Sequence, residues 1–388
     1  MSAFSPTRGS AFSSYNQIEM GILHKLIATS LVITVGYGVI VLLLCFPVPQ
    51  RLMIYLHWVK LPNGTNLKVP ELYGFAHNKV RNIHITSADN VTLGAWHILP
   101  TSYYQRHNLR DDPNLPSDTV YDAALSDPSY DTVLYLHGNA LHRAAPWRTD
   151  LYKRLGDKFD RLNIIAIDYR GFGDSEGIPS EEGLRLDALA TVDWLFQRNV
   201  SHDRISLIGH SLGTGVATTL AYDMTKRDQP PNALILKAAY SSLPNLIFEY
   251  RMLKYIAVLS PVRLVPPVQK WLLSHLLHVY DSVSRIEYLE CPILLTYGAS
   301  DVEIPGHNSQ LLFHRAVYGQ GQRLEFAKDW VDADPSISRR IVPNEATVYK
   351  KDQVHLVKLH HADHNNVGYY DYMFQAMADI TGWHQGLS

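Results

Sequence analysis

The chain carries its apolar residues in two different patterns. Residues 26–46 form one uninterrupted uncharged run of 21 positions. At the helical rise this run spans roughly 31 Å, about the hydrocarbon thickness of a bilayer. Lys25 and Arg51 flank it, with Tyr55 and Trp58 placed for an interface. The run ends in Cys45-Phe46-Pro47-Val48-Pro49, which lacks the small-residue site that closes a cleaved leader. The pattern predicts a short tail over 1–25, a transmembrane helix over 26–46 and a connector over 47–80 rich in Pro, Gly and Asn.

Beyond the connector the period changes. Residues 82–86 and 91–99 alternate like strands around a turn at 87–90. Residues 101–131, rich in Asp, Pro, Ser and Tyr, predict an exposed excursion. Then come short continuous apolar runs at 133–136, 164–167, 205–208, 234–236 and 293–296. Strands buried on both faces of a parallel sheet have this signature. Between them lie helical patterns, such as the one running to about Arg198 from Ser180, whose neighbours Glu181 and Glu182 suit a helix N-terminus. Alternating strands and helices predict an α/β domain over 81–388, with a mostly parallel central sheet and helices on both faces.

Charge and cysteine content narrow the field. Lys and Arg total 35 against 37 Asp and Glu, so there is no concentrated basic field and no support for nucleic-acid binding. The two cysteines, Cys45 and Cys291, sit in unrelated apolar settings and predict neither a disulfide nor a metal site. Basic residues near the apolar run favour neither side clearly, and lean toward the segment after it. Three sequons, at Asn63, Asn90 and Asn199, lie downstream.

The candidate chemistry begins at Gly209-His210-Ser211-Leu212-Gly213. A strand precedes it and a small-residue helix comes after, the setting of a nucleophile lifted above a sheet on a strained turn. Glycines at 209 and 213 are needed because side chains there would strike the neighbouring strand or helix. Ser211 is the expected nucleophile, and the Leu212 N–H opens the helix where it can face an oxyanion. A serine hydroxyl needs a base, and the base needs an acid to orient it, in the chain order Ser, acid, His. Asp301 lies just past the strand at 293–297, with Glu303 the competitor further out. His364 lies on a polar loop beyond the last strand and reaches over the sheet more readily than His355, His360 or His361. Asn139, after the strand at 133–136, is the expected second oxyanion donor, with Ala140 its neighbour. No metal or cofactor is required by this arrangement.

These residues resemble a known family. Leu134–Ala140 (LYLHGNA), Asp168–Gly177 (DYRGFGDSEG) and Gly209–Thr218 (GHSLGTGVAT) are similar to motifs of the membrane-bound lysophospholipid and monoacylglycerol lipases of the α/β-hydrolase superfamily. The resemblance covers about residue 80 to the C-terminus. It implies an α/β-hydrolase fold, a single-pass endoplasmic-reticulum protein with a lumenal hydrolase domain, and lysophosphatidylserine and monoacylglycerol substrates. Ser211, Asp301 and His364 match its nucleophile, acid and base by position. Leu141-His142-Arg143-Ala144-Ala145 departs from the family's glycine-rich stretch, so a different pocket wall is expected there. A polar insert over 319–352 separates acid from base.

Residues 240–290 are too long for a plain crossover. Apolar stretches at 246–259 and 268–280, broken by prolines, predict a helical cap over the site, with Trp271, Leu272, Leu276 and Val279 on one apolar face. Such a cap suits an acyl chain and, beside an anchor, can rest on the bilayer. The same constellation also serves a thioesterase that removes palmitate from proteins. A third reading is an anchored binding module that has lost activity. Oligomeric state is not legible.

Overall fold

The computed structural model describes residues 8–61, 64–252, 254–320, 331 and 334–383, with side chains from Met20 onward. A ten-stranded sheet runs through the described residues in the order β1-β2-β4-β3-β5-β6-β7-β10-β9-β8. The strands are β1 (Val80–Thr86), β2 (Thr92–Ile98), β3 (Asp131–Leu136), β4 (Leu162–Ile167) and β5 (Ile205–His210). They continue with β6 (Ala233–Lys237), β7 (Ile293–Gly298), β8 (Ser338–Val342), β9 (Ala346–Lys351) and β10 (Val354–Leu359). The central six pair in parallel, and antiparallel strands close both edges. Every residue of β4 to β7 is buried, which is why these strands read as unbroken apolar runs.

The helices are α1 (Arg8–Leu43), α2 (Pro47–Tyr55), α3 (Thr101–Arg106), α4 (Asp118–Ser126), α5 (Pro146–Lys158) and α6 (Glu181–Phe196). After them come α7 (Leu212–Lys226), α8 (Leu243–Leu246), α9 (Pro266–Ser274), α10 (His307–Tyr318) and α11 (Asp371–Thr381). One face of the sheet packs on α6, α7 and α10 through Leu184, Val192, Val216, Leu220, Leu312 and Phe313. The other packs on α5 and α11 through Leu151, Tyr152, Leu155, Met373 and Met377. The start of α6 agrees with the sequence expectation: Ser180 Oγ accepts the Gly183 N–H at 3.0 Å.

Several expectations are corrected. The apolar run forms the end of α1, and the stretch long and apolar enough to cross a membrane is Met20–Leu43. It stops before Phe46 because the chain turns there into α2. Proline is at home in the first turn of a helix, so the connector begins as a helix and not as irregular chain. Tyr55 is not interfacial: it is fully buried and its hydroxyl meets that of Tyr280 at 3.0 Å. Trp58 is exposed. Residues 101–131 are not a bare excursion, since α3 and α4 bury Tyr103, Tyr104, Tyr121 and Leu125. The polar insert over 319–352 supplies β8 and β9, although 321–330, 332 and 333 lie outside the described residues. Between β6 and β7, residues 247–252 and 254–259 form turns, irregular chain and a Met252–Ile256 bridge where a helix was expected. The second expected helix is shorter, ending at Ser274, so Leu276 and Val279 lie beyond it.

Candidate active site

The loops that carry the singled-out residues leave the carboxyl ends of β3, β5, β7 and β10, where open α/β sheets gather their ligands. After β5 the chain turns into α7 within one residue. Ser211 takes that turn at φ 52°, ψ −120°, a strained conformation outside helix and strand. Its own N–H donates to Lys237 O at 3.0 Å, and its carbonyl accepts from the Thr214 N–H and hydroxyl. A side chain at Gly209 would come within 2.6 Å of Gly213 O, and one at Gly213 within 2.0 Å of Leu136 O. Only hydrogen at those two positions lets β3, β5 and α7 converge.

Asp301 and His364 meet. The His364 Nδ1–H donates to Asp301 Oδ2 at 2.9 Å. Asp301 Oδ1 accepts the Glu303 and Ile304 N–H groups at 2.9 and 3.0 Å. The carboxylate is therefore held on both oxygens, and one orientation is left for the ring. Burial alone would push the imidazole pKa down. The hydrogen bond and charge of Asp301, with Glu303 and Asp363 behind it, overcome that and raise it. Glu303 contributes its backbone N–H to Asp301, while burial raises its own carboxyl pKa. His361 is exposed, and His360 Nε2 engages Thr347 Oγ1 at 2.9 Å, so neither competes for the acid.

His210 links the ring to the elbow. Its Nε2 lies 2.9 Å from His364 O, and the two rings stand 5.2 Å apart. Burial, aided by the nearby Lys237 ammonium, pushes the His210 ring well below its ordinary pKa, so it stays neutral. Among the described residues no hydrogen bond joins the Ser211 hydroxyl to the His364 imidazole. Such bonds are commonly long in unliganded enzymes and tighten with substrate.

The loop after β3 is held from two sides. Arg148 is buried, and its Nη2 donates to the carbonyls of Gly138, Asn139 and Ala140 at 3.0, 3.2 and 3.0 Å. The Ala140 and Leu141 N–H groups donate to Tyr55 O and Val59 O at 2.9 and 3.0 Å. Ala140 is thus committed elsewhere, whereas the Asn139 N–H has no backbone partner among the described residues. Leu212, the first residue of α7, likewise presents an N–H with no partner inside the helix.

A cavity opens beside Ser211, Leu212 and Asn139. It encloses about 100 Å³, several times what one ordered water needs. Apart from the elbow, Gln50 and the rings of Tyr240 and Tyr250, its walls are aliphatic, among them Leu243, Leu246, Ile247, Leu259, Leu272 and Leu276. The expected divergent wall at 141–145 is absent from it. Arg143 turns instead into a buried network, donating to Asp168, to Asp174 at 2.6 Å and to Asn82 at 2.7 Å. Arg170, in the same Asp168–Gly177 motif, pairs with Asp89 and Asp187, so that motif is scaffolding. Of the expected cap face, Leu272 and Leu276 line the cavity, while Trp271 and Val279 are exposed.

Sequence reading missed a contribution from α2. Gln50, Met53 and Ile54 line the same cavity. The available signal was Pro47 leading into the apolar Leu52, Met53, Ile54 and Tyr55.

This strand order, with a sharp turn after β5 and a carboxylate–imidazole pair on the next loops, defines an α/β hydrolase. Residues 131–255 match the family described as alpha/beta hydrolase fold. Two solved structures share that fold. An α/β hydrolase from Vibrio vulnificus is 15% identical with a TM-score of 0.57, covering 87% of this chain and 95% of its own. An esterase from Pyrococcus furiosus is 19% identical with a TM-score of 0.51, covering 84% and 97%. Curated relatives are nearer in sequence. Lysophosphatidylserine lipase ABHD12 of Xenopus tropicalis is 31% identical over 71% of this chain and 68% of its own. Protein ABHD12B of Homo sapiens is 32% identical over 71% and 72%. The match to ABHD12 of Rattus norvegicus, 31% identical over 69% of this chain, spans 64% of that protein, just under two thirds of its length. The chain belongs to the ABHD12 family of α/β hydrolases.

Proposed function

We propose that this chain is a membrane-anchored serine hydrolase that cleaves acyl esters of lysophospholipids, lysophosphatidylserine among them, and of monoacylglycerols. The observation that carries this reading is the aliphatic cavity opening directly onto the Ser211 elbow. A polar substrate would find almost nothing there to bond, whereas a hydrocarbon chain with an ester at one end fits the division into apolar wall and polar elbow. The names of the ABHD12 relatives agree with it.

His364 takes the Ser211 proton through Nε2 as Oγ attacks the ester carbonyl. Asp301 keeps the proton on Nδ1 and stabilises the imidazolium. The Leu212 and Asn139 N–H groups face the oxyanion. The carbon–oxygen bond to the glycerol breaks as His364 protonates the leaving alkoxide, giving an acyl-serine. Water, deprotonated by the same ring, then releases the fatty acid.

The test is direct. The full chain in detergent, given lysophosphatidylserine and a monoacylglycerol, should release free fatty acid from both, read by mass spectrometry. Release from the monoacylglycerol alone would remove the phospholipid half of the reading, and release from neither would sink it.

Met20–Leu43 serves as the anchor, with the hydrolase domain in the endoplasmic-reticulum lumen. Asn90 and Asn199 both stand exposed at positive φ in turns, where a glycan can be accommodated. An endoglycosidase should therefore sharpen the mobility of the membrane-extracted protein on a gel. Unchanged mobility, with the domain open to protease from the cytosolic side, would overturn the lumenal orientation and favour the thioesterase reading.

A further inference from the structure

The cavity is not built by the hydrolase fold alone. One side of it comes from the segment that joins the apolar helix to the sheet: Leu44, Gln50, Met53 and Ile54. That segment is fixed to the cap at several points. Gln50 is buried; its Nε2 donates to His275 O at 2.7 Å and its Oε1 accepts the Leu277 N–H at 3.0 Å. Both ends of one amide are thus spent on the backbone beside Leu276, a cavity residue. The Tyr37 hydroxyl donates to Val258 O at 2.9 Å, and Val41 and Leu44 pack with Phe248, Leu259, Val262 and Leu272. The last turns of α1, α2 and the cap form one apolar body with the cavity inside it.

From this placement we infer that the anchor junction is the specificity wall for the acyl chain, with Leu44 and Met53 setting the chain length that the site accepts. The inference rests on the acyl-ester reading above. Buried aliphatic walls discriminate by volume, and an oversized side chain in a packed apolar site excludes methylenes it would otherwise hold. Because Gln50 ties junction to cap on both edges, the wall has little freedom to retreat. Met20–Leu43 leads straight into Leu44, so the wall of the cavity is continuous in sequence with the apolar helix.

The test uses the full chain in detergent with p-nitrophenyl esters from butyrate to palmitate, and fluorophosphonate labelling to report an intact elbow. In Leu44→Trp and Met53→Trp, kcat/KM for palmitate should fall at least tenfold more than for butyrate. Met53→Ala should move the preferred length upward. Leu43→Trp, on the exposed neighbour outside the cavity, should keep the wild-type profile. Equal losses at every chain length, or the same shift in Leu43→Trp, would overturn the inference. If Leu44→Trp loses labelling through misfolding, Met53→Ala decides, and an unshifted length preference there overturns it. A wild type inactive on all esters would sink the hydrolase reading itself, and this inference with it.

Discussion

Replacing Ser211 with alanine is expected to reduce kcat on acyl esters by roughly a millionfold and to abolish covalent labelling by a fluorophosphonate. The change removes one oxygen and little else. The bonds that hold the turn run through backbone: the Ser211 N–H to Lys237 O, and the Ser211 carbonyl to Thr214. Alanine at φ 52° keeps them, so the elbow should stand with nothing to attack the substrate. A residual rate about a thousandfold above the uncatalysed reaction should remain, because the proposed oxyanion donors, the Leu212 and Asn139 N–H groups, are untouched by the change. Single-turnover kinetics on the purified variant separate lost chemistry from lost binding. Labelling that persists in Ser211→Ala would assign the nucleophile elsewhere.

Asp301→Asn should cost about ten-thousandfold in kcat. Asp301 Oδ1 accepts two backbone N–H groups. Asparagine keeps its carbonyl oxygen there and must turn its NH₂ toward His364 Nδ1. The ring then accepts at Nδ1 and carries its proton on Nε2, the nitrogen that takes the serine proton in the proposed mechanism. The pH profile gives an independent reading. The base acts when neutral, and the pKa of His364 is raised. Activity should therefore be lost as pH falls through a value above the ordinary imidazole figure of about 6.5, and the acid limb of kcat/KM in wild type should lie on that side. In Asp301→Asn the charge is gone, the amide hydrogen bond favours the neutral ring and burial remains, so the limb of the residual activity should move to lower pH. An acid limb in the same place in both proteins would mean that Asp301 does not face the titrating ring.

The central strands were legible because burial on both faces leaves no polar position to interrupt them. The elbow was legible because the two glycines are demanded by backbone atoms less than 3 Å from where a side chain would begin. The meeting of Asp301 with His364 was legible from chain order and loop reach. The illegible parts share a physical cause: apolar residues that line a cavity look, in sequence, like one face of a helix. Met252, Ile256 and Leu259 face the cavity from turns and a bridge, yet their spacing suggested a helix over 246–259. α2 was obscured by Pro47 and Pro49, which mark irregular chain as readily as a helix start. The tyrosines of α3 and α4 were hidden by polar neighbours, because a small satellite core needs few apolar positions. Nothing in Arg143 announced a buried network instead of a pocket wall, since its partners Asn82, Asp168 and Asp174 are distant in sequence.

The loop after β3 hangs two of its N–H groups on carbonyls that precede the first strand, those of Tyr55 and Val59. The body of the fold is therefore not separable at the border its sheet suggests. Trimming the chain to begin at β1 would leave both donors to solvent and remove one of the two supports of the very loop that carries Asn139. A shortened chain is expected to hold that loop only if it keeps the residues that bear the Tyr55 and Val59 carbonyls. By the same reasoning, a protease cutting between residues 56 and 79 would not shed a working domain into solution. The piece so released would carry the Asn139 loop without the carbonyls of Tyr55 and Val59 that hold it.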